Sequence, residues 1–277
     1  MGARTNDPYR GYWESVLGGQ YDLRGTGFPD LPLSWNRWMY RQMRNSVDRI
    51  VKRQDLTARL EKAAVLDIGS GVGHWLRYWR GRGVASLRGC DLTETAVAEL
   101  TRRFPDVPVT QVDIGVPNPR FDERFDVISV MAVLQHIADD DRWRQALVNV
   151  GNLLADDGVG IILDPVLTHS LWIDEKPEGG MSWSRSRAEW DDALGAAGLV
   201  ITDLVPTTFT LAAGGDAAHH RTSAAWRRYW RGIGRVTAQR ERVGWVAGGM
   251  AYGVDQLLVR SGLNGVTSKT FVVRHSR

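Results

Sequence analysis

The stretch AAVLDIGSGVGHW, residues 63–75, decides how this chain folds. An apolar run leads into Asp67, and glycines then alternate at Gly69, Gly71 and Gly73. Glycines placed after a strand let a nucleotide approach the main chain and offer backbone N–H groups to it. His74 stands where a dinucleotide loop needs its third glycine, and the Gly-Lys-Ser/Thr of a phosphate loop does not follow. The stretch therefore indicates a strand, loop and helix that bind a nucleotide of another kind.

Strand-like and helical patterns alternate beyond this stretch. Strand-like runs occupy residues 63–69, 87–92, 107–114, 125–131, 158–166, 199–209 and 268–276. Helical patterns follow Gly73 and occupy residues 93–103, 139–154 and 186–197. Such alternation is typical of βαβ units, and runs rich in Val, Ile and Leu indicate strands buried on both faces. We therefore expect an α/β, Rossmann-like fold, with a seven-stranded, mostly parallel sheet and helices on both faces.

Two segments interrupt the alternation. Residues 1–60 are predicted to form an N-terminal helical extension, whose long helix has Ser34 as its N-cap. Residues 210–265 are predicted to form a helical insertion before the last strand, opened by a hinge-like AAGGD at 212–216. The core then consists of residues 61–209 together with 266–277.

The insertion contains two predicted helices. The first has an apolar face made of Trp226, Tyr229, Trp230, Ile233 and Val236. The second is mostly apolar and has small residues at Gly244, Gly248, Gly249 and Gly253. That spacing allows close packing against another helix, a lipid-facing surface or a homodimer contact.

Composition is that of a soluble globular protein, with 43% hydrophobic and 24% charged residues. The single Cys90 excludes an intramolecular disulfide framework and favours a cytoplasmic location. The N-terminus shows no secretory signal, and the longest apolar stretch, 243–254, is shorter than the about 20 residues that span a bilayer. The net charge of +3 is low for RNA binding, so we expect neither nucleic acid nor a transmembrane segment.

Four further motifs follow the glycine loop in order. They are LRGCDL at 87–92, TQVDI at 110–114, FDVISVMAVLQHI at 125–137 and LLADDGVGIILDP at 153–165. With the glycine loop, they make the chain resemble the class I S-adenosylmethionine-dependent methyltransferases that act on small molecules. The resemblance covers about residues 60–209 and the last strand, and it implies S-adenosyl-L-methionine as the cofactor.

The resemblance also implies roles for individual residues. Asp91 is expected to accept from both ribose hydroxyls, Asp113 from the adenine amino group, and the Ile114 N–H to bind a ring nitrogen. Met131 is expected to offer its carbonyl to the ligand amino group, and Asp67 to reach the methionine end through water. The expected cofactor site is completed by Gly69, Ser70, Gly71, Gly73 and Leu92. An alternative reading makes Asp91 and Asp113 turn or cap residues.

Two titratable residues follow the fourth and fifth strands, where chemistry takes place in open α/β sheets. His136 is the candidate general base, and Asp164 is expected to orient its imidazole or to bind the acceptor. Sugar O-methyltransferases resemble this arrangement, although His136 can also cap the next helix. His74 is interpreted as a surface histidine, with a role near the methionine carboxylate as the alternative. Asp164, His169, Asp174 and Glu175 fit no known metal spacing, so no metal is expected.

The resulting hypothesis is O-methylation of a hydroxyl on a natural product, sugar or lipid, as in secondary metabolism. In relatives, additions such as residues 1–60 and 210–265 form a substrate lid. Candidates to close over the cofactor are Tyr9, Tyr12, Trp13, Trp35, Trp38 and Tyr40, although we expect most of them to pack the extension onto the core. Alternatives are N- or C-methylation by positioning alone, RNA methylation, and a non-catalytic cofactor-binding subunit. The sequence at the exit of strand four, Met131-Ala-Val-Leu, lacks the Asn/Asp-Pro-Pro-Tyr motif of base amino methylation.

Overall fold

The computed structural model describes residues 8–119, 121–174, 181–212, 223–238, 240–263 and 268–276. Five parallel strands form most of one sheet, namely β1 (Ala64–Ile68), β2 (Ser86–Asp91), β3 (Val109–Gln111), β4 (Phe125–Met131) and β5 (Leu154–Pro165). A short hairpin follows, β6 (Leu171–Asp174) and β7 (Met181–Ser184), and then β8 (Leu199–Pro206) and β9 (Ser268–His275). The sheet has the order β3-β2-β1-β4-β5-β9-β8, and β9 runs opposite to the other six strands. The expected seven-stranded, mostly parallel sheet is thus confirmed.

Helices flank the sheet. They are α1 (Pro8–Gly19), α2 (Leu33–Arg53), α3 (Thr57–Leu60), α4 (His74–Arg80), α5 (Glu94–Arg103), α6 (Asp140–Leu153), α7 (Arg187–Ala196), α8 (Ser223–Thr237) and α9 (Glu241–Arg260). A 3₁₀ turn, Leu134–His136, lies between β4 and α6. Within the described residues, no helix is both long and apolar enough to cross a membrane.

Helix starts follow local side-chain chemistry. Thr93, Asp139 and Ser186 each accept a hydrogen bond from a first-turn N–H of α5, α6 and α7, as N-caps do. Ser34 does not cap α2, contrary to expectation, because Pro32 precedes the helix and Ser34 lies within its first turn. The Ser34 N–H and hydroxyl instead bind the Glu241 carboxylate and carbonyl, which joins α2 to α9.

The core lies on both faces of the sheet, because successive strand residues point to opposite sides. Val65 and Val127 pack in the layer beneath α2 and α4. Leu66 and Ile128 pack on the other side, with residues of α6 and α7. This continuous burial explains why the strand sequences read as unbroken apolar runs.

The small residues of α9 serve close helix packing. A Cβ added to Gly244 would lie 2.6 Å from Ser34 Oγ, and one on Gly248 would lie 2.8 Å from Trp38. Gly253 faces open space and is no part of this contact. On α8, Trp230 and Ile233 pack against the core, whereas Val236, expected on the same face, is 60% exposed. The expected hinge lies outside the described residues from residue 213 onward.

Candidate active site

A pocket opens at the carboxyl ends of β1, β2 and β4. Its lining includes most of the expected cofactor residues and the candidate base, namely Gly69, Ser70, Gly71, Asp91, Leu92, Asp113, Ile114, Met131 and His136. Adjacent parallel strands end at the same edge of the sheet, and this edge is where open α/β folds bind ligands. Asp67, Gly73 and Asp164 are not among the residues that line the pocket.

The glycine loop is held by its own hydrogen bonds. The N–H groups of Gly69 and Ser70 both donate to the Cys90 carbonyl, and the Gly73 N–H donates to the Ser70 carbonyl. The Gly71 N–H donates to Asp91 Oδ2 over 2.8 Å. These four N–H groups are therefore committed within the protein, which corrects the expectation that the loop offers them to a ligand.

The glycines are required by backbone conformation and packing. Gly69, Gly71 and Gly73 have φ values of +71°, +50° and +79°, in the left-handed region that favours glycine. A Cβ on Gly69 would lie 2.3 Å from a Val133 methyl, and one on Gly73 would lie 2.6 Å from Phe104. Gly73 therefore begins α4 and seats it on the core, instead of contacting a ligand.

Asp91 ends β2 and faces the pocket while remaining 7% exposed. Its Oδ1 accepts from the Thr93 N–H and hydroxyl, and its Oδ2 accepts from the Gly71 N–H. Burial raises the pKa of Asp91, and the bonds from Thr93 and Gly71 oppose that shift. An ionised carboxylate has about four acceptor positions, so one remains on Oδ2. Asp91 can therefore accept one further hydrogen bond, at Oδ2. The expected contact of both oxygens with the ribose does not match this arrangement, because Oδ1 already accepts two hydrogen bonds.

Asp113 lies on the far side of the pocket, just after β3. β3 is shorter than expected because the Asp113 carboxylate accepts from the Gly115 N–H over 2.9 Å and turns the chain there. Its other oxygen pairs with Arg142. Arg142 also lines the pocket, where its guanidinium lies 5.9 Å from the centre of the Tyr9 ring.

The exit of β4 brings the candidate base to the pocket. Ala132 has a φ of +59°, a conformation that side chains rarely adopt, and it leads into the 3₁₀ turn that carries His136. The His136 ring packs edge-on against Trp13 at 4.8 Å between ring centres. The Gln135 amide nitrogen lies 3.3 Å from His136 Nε2. Because an amide nitrogen only donates, this contact favours a lone pair on Nε2.

Asp164 occupies a different place from the one expected. It is completely buried, and its two oxygens accept from the Leu134 and Gln135 N–H groups over 3.1 and 3.3 Å. Burial raises its pKa to about 8, while the two N–H bonds act in the opposite direction. Asp164 therefore holds the start of the turn that carries His136, and it lies too deep to bind an acceptor.

Arg185 holds the other end of the same turn. This residue at the end of β7 is 1% exposed, and one of its nitrogens donates to the Ile137 carbonyl over 3.0 Å and to Asp140 over 2.8 Å. Its guanidinium lies 4.1 Å from the centre of the Trp143 ring. Burial lowers the pKa of Arg185, and its hydrogen bond and ion pair with Asp140 act in the opposite direction. Nothing in the sequence pattern singled this residue out.

Asp67 lies in the core beneath the pocket. It is 1% exposed, and its Oδ1 accepts from the Ser129 hydroxyl, which in turn accepts from the Trp79 indole over 2.9 Å. Burial raises the pKa of Asp67 to about 7. The carboxyl joins β1 to β4 and α4, and the water-mediated contact to a methionine end stays a prediction.

The N-terminal extension covers the pocket. Tyr9, Trp13 and Leu17 of α1 line it, together with Thr26 and Tyr40. Glu14 accepts from the Glu94 and Thr95 N–H groups at the start of α5, and the Tyr21 hydroxyl donates to the Gly71 carbonyl over 2.8 Å. Trp35 and Trp38, two of the lid candidates, pack against Trp230 and Trp245, in agreement with the packing alternative.

His74 also lines the pocket, which corrects its interpretation as a surface residue. Its ring lies 4.7 Å from that of Tyr40 and 5.2 Å from that of Trp75. Burial lowers its pKa to about 4, with help from Arg44 and Arg77, so the ring is neutral near pH 7. Its Nε2 is buried and has no hydrogen-bond partner among the described residues.

Among the described residues, no three His, Cys, Asp or Glu side chains converge to hold a metal ion. Glu175, one member of the unfavoured metal set, lies outside those residues.

Sequence comparison identifies the family. A profile described as a methyltransferase domain matches residues 35–204, more than half of the 277-residue chain. The chain belongs to this family. The match confirms the resemblance carried by the five motifs, and the chain is a methyltransferase of the class I fold, whose methyl donor is S-adenosylmethionine. No curated protein sequence matches it.

Solved structures share the methyltransferase fold. Magnesium protoporphyrin IX methyltransferase (ChlM) from Synechocystis PCC 6803, with bound SAM, is 18% identical, with a TM-score of 0.53 over 75% of this chain and 93% of its own. A DhpI-SAM-HEP complex is 19% identical, with a TM-score of 0.53 over 75% and 94%. The Burkholderia thailandensis 1,6-didemethyltoxoflavin-N1-methyltransferase is 16% identical, with a TM-score of 0.50 over 80% and 77%. At these identities the likeness shows the fold.

Proposed function

We propose that this methyltransferase transfers a methyl group from S-adenosylmethionine to a hydroxyl of a small molecule, with His136 as general base. One observation carries the proposal. His136, at the exit of β4, lines the same pocket as Asp91 and the glycine loop. The alternatives are N- or C-methylation by positioning, RNA methylation and cofactor binding without catalysis.

The residues present fit the cofactor. Asp91 keeps one acceptor position for a ribose hydroxyl, and each Asp113 oxygen can accept once more, which suits an adenine amino group. Trp13, Tyr40 and Trp75 line the pocket, and aromatic faces attract a sulfonium cation. When bound, S-adenosylmethionine supplies an electrophilic methyl group on its sulfonium.

The chain's own groups then act on the acceptor. The lone pair on His136 Nε2 takes the proton that the acceptor hydroxyl loses as its oxygen accepts the methyl group. The hydroxyl takes the place of the weak Gln135 contact at Nε2. Asp164 and Arg185 keep the turn in place, while α1 excludes water from above.

A small acceptor fits this pocket better than RNA does. Tyr9, Trp13 and Leu17 of α1 cover the pocket, which leaves room for a compact molecule and not for a polynucleotide. Two proteins of the same fold are named as methyltransferases of magnesium protoporphyrin IX and of 1,6-didemethyltoxoflavin. Their names support a small-molecule acceptor here.

The test uses S-adenosylmethionine with a labelled methyl group and a small-molecule extract of the host cells. We expect label in a small molecule, with a methoxy carbon in its ¹³C NMR spectrum. His136→Ala should slow transfer about 100-fold or more, because a positioned base contributes that much. S-adenosylhomocysteine binding should be retained.

His169→Ala is the matched control, since His169 is an exposed histidine away from the pocket lining. If His136→Ala transferred the methyl group at an unchanged rate, His136 would not be the general base. That result would favour transfer to nitrogen or carbon by positioning. Label found only in RNA would contradict the small-molecule acceptor, and cofactor binding without any transfer would contradict catalysis.

A further inference from the structure

The exposed large apolar side chains are concentrated in one part of the molecule. The described residues expose nine of them, and seven lie between residues 236 and 263. They are Val236, Trp245, Val246, Met250, Val254, Leu257 and Leu263. Soluble proteins rarely expose apolar residues as a continuous patch unless the patch binds something.

Four of these residues form a stripe along α9. Val246, Met250, Val254 and Leu257 recur at helical spacing, and Met250 and Leu257 are 70% and 69% exposed. The opposite face of α9 is buried, partly through Gly244 and Gly248 against α2. The stripe therefore faces outward, and at 1.5 Å per residue it is about 17 Å long.

Arginines border the stripe. Arg242 and Arg260 are exposed, and at 100° per residue both fall on the outward side, at the two ends of the stripe. Residues 223–263 contain seven arginines, at positions 227, 228, 231, 235, 240, 242 and 260, and two acids, Glu241 and Asp255. The segment thus carries a charge of +5, more than the +3 of the whole chain.

Both acids of the segment are used inside the fold. Glu241 accepts from the Leu33 and Ser34 N–H groups, and Asp255 accepts from the Phe209 and Thr210 N–H groups. Throughout the part of the chain that the structure describes, none of the seven arginines pairs with a carboxylate. Their positive charge is available to an external anionic partner.

We propose that the outward face of α9, with Arg242 and Arg260 at the two ends of its stripe, binds the surface of an anionic lipid bilayer. An aliphatic stripe needs an apolar medium, and arginines at its border suit lipid phosphates and carboxylates, as in helices that lie in the plane of the headgroups. A second copy of the chain fits less well, because an antiparallel contact between two α9 helices places arginine against arginine. Nucleic acid would bind the arginines through its phosphates, but it would leave the aliphatic stripe exposed to water.

Vesicle co-sedimentation of the full chain tests this proposal. We expect binding to phosphatidylcholine vesicles that contain phosphatidylserine, and at least about tenfold weaker binding to phosphatidylcholine alone. The double variant Val246→Asp/Leu257→Asp should lose binding at least about tenfold, because it places charge in the stripe. Arg242→Gln/Arg260→Gln should weaken binding and its dependence on salt.

Val200→Asp is the matched control, since Val200 is 44% exposed on the edge strand β8 and lies outside α8 and α9. It should bind vesicles as the unmodified protein does. All variants should keep their melting temperature and S-adenosylhomocysteine binding, since the changed residues are exposed and outside the pocket. The proposal is overturned if the unmodified protein ignores anionic vesicles or if the stripe variant binds them equally well. It is also overturned if the stripe variant only turns a dimer into a monomer.

Discussion

Asp67 and Asp91 both lie at strand ends near the pocket, but Asp67 belongs to the core. Its carboxyl lies at 1% exposure between two strands and accepts from Ser129, which the Trp79 indole also contacts. Its Oδ1 takes part in this buried network, while its Oδ2 has no hydrogen-bond partner among the described residues. Asp67 thus ties the first strand to its neighbours, whereas Asp91, one strand away, faces the pocket.

We predict that Asp67 makes the protein more stable in mild acid than at neutral pH. Burial raises its pKa from 3.8 to about 7, so the folded state holds a proton that the unfolded state loses between these values. The stabilisation is full below about pH 4 and is lost as the pH rises through about 7. Urea unfolding of Asp67→Asn should show a flatter dependence of the unfolding free energy on pH across this range. An unchanged dependence would place the titration elsewhere, with Asp164, whose pKa is also raised, as the next candidate.

The sequence identified acids at strand ends but not the direction of their side chains. Asp91 and Asp113 line the pocket, as the resemblance implied. Asp164 ends its strand as expected, yet its side chain points beneath the turn that carries His136. Local sequence spacing does not reveal the direction of the Asp164 side chain, because that direction depends on where the following turn lies in the folded chain.

The turn that carries His136 is fixed at both ends. Asp164 accepts from its first N–H groups, and Arg185 donates to the carbonyl that follows it. Arg185 is thus a positioning residue for the proposed base, contributed by the hairpin between β5 and α7. A hairpin residue about fifty positions away in the chain has no pattern that links it to His136 before the fold is known.

We predict that Arg185→Leu lowers kcat at least about tenfold while the S-adenosylhomocysteine Kd changes little, because Arg185 does not line the pocket. Arg185→Lys should restore part of the rate, since a lysine can still donate to the Ile137 carbonyl. Arg187→Leu, which removes an exposed ion pair with Asp191, is the control. Equal losses of kcat and cofactor affinity would indicate a structural role alone.

The Glu14 carboxylate joins α1, which covers the pocket, to the start of α5. Glu14 accepts from two N–H groups at the positive end of α5. Removing that charge costs about 0.3–1 kcal/mol at a helix N-terminus. Glu14→Gln should therefore release bound S-adenosylhomocysteine roughly two- to fivefold faster. A chase with unlabelled ligand measures the rate, and the exposed Glu61→Gln is the control. Identical release rates would show that α1 does not limit exit.

At the scale of the whole molecule, periodicity and motif order were enough to predict the sheet. The strands of the core are buried on both faces, so their apolar runs stand out in the sequence. The residues that cover the pocket were harder to predict, because Trp13 and Trp35 are both tryptophans in helical segments of the N-terminal extension and no sequence pattern distinguishes them. Only tertiary packing places Trp13 over His136 and Trp35 against Trp230.

The glycine loop at residues 69–73 has a different role from the one that the sequence suggested. Its glycines matter because three positive φ angles and tight packing exclude other residues, while its N–H groups bind the protein itself. Asp91 binds the loop through Gly71 and keeps one acceptor position, so we propose it as the link between the fold and the cofactor.

Calorimetric titration of S-adenosylhomocysteine into the protein and into Asp91→Ala tests the central claim most directly. We expect one molecule to bind per chain, and the variant to bind at least about tenfold more weakly, since it loses a charge-assisted contact worth about 1.5–3 kcal/mol. The far-UV circular dichroism of the variant should match that of the unmodified protein. A folded Asp91→Ala variant with unchanged affinity, or no binding by the unmodified protein, would contradict this account of the site.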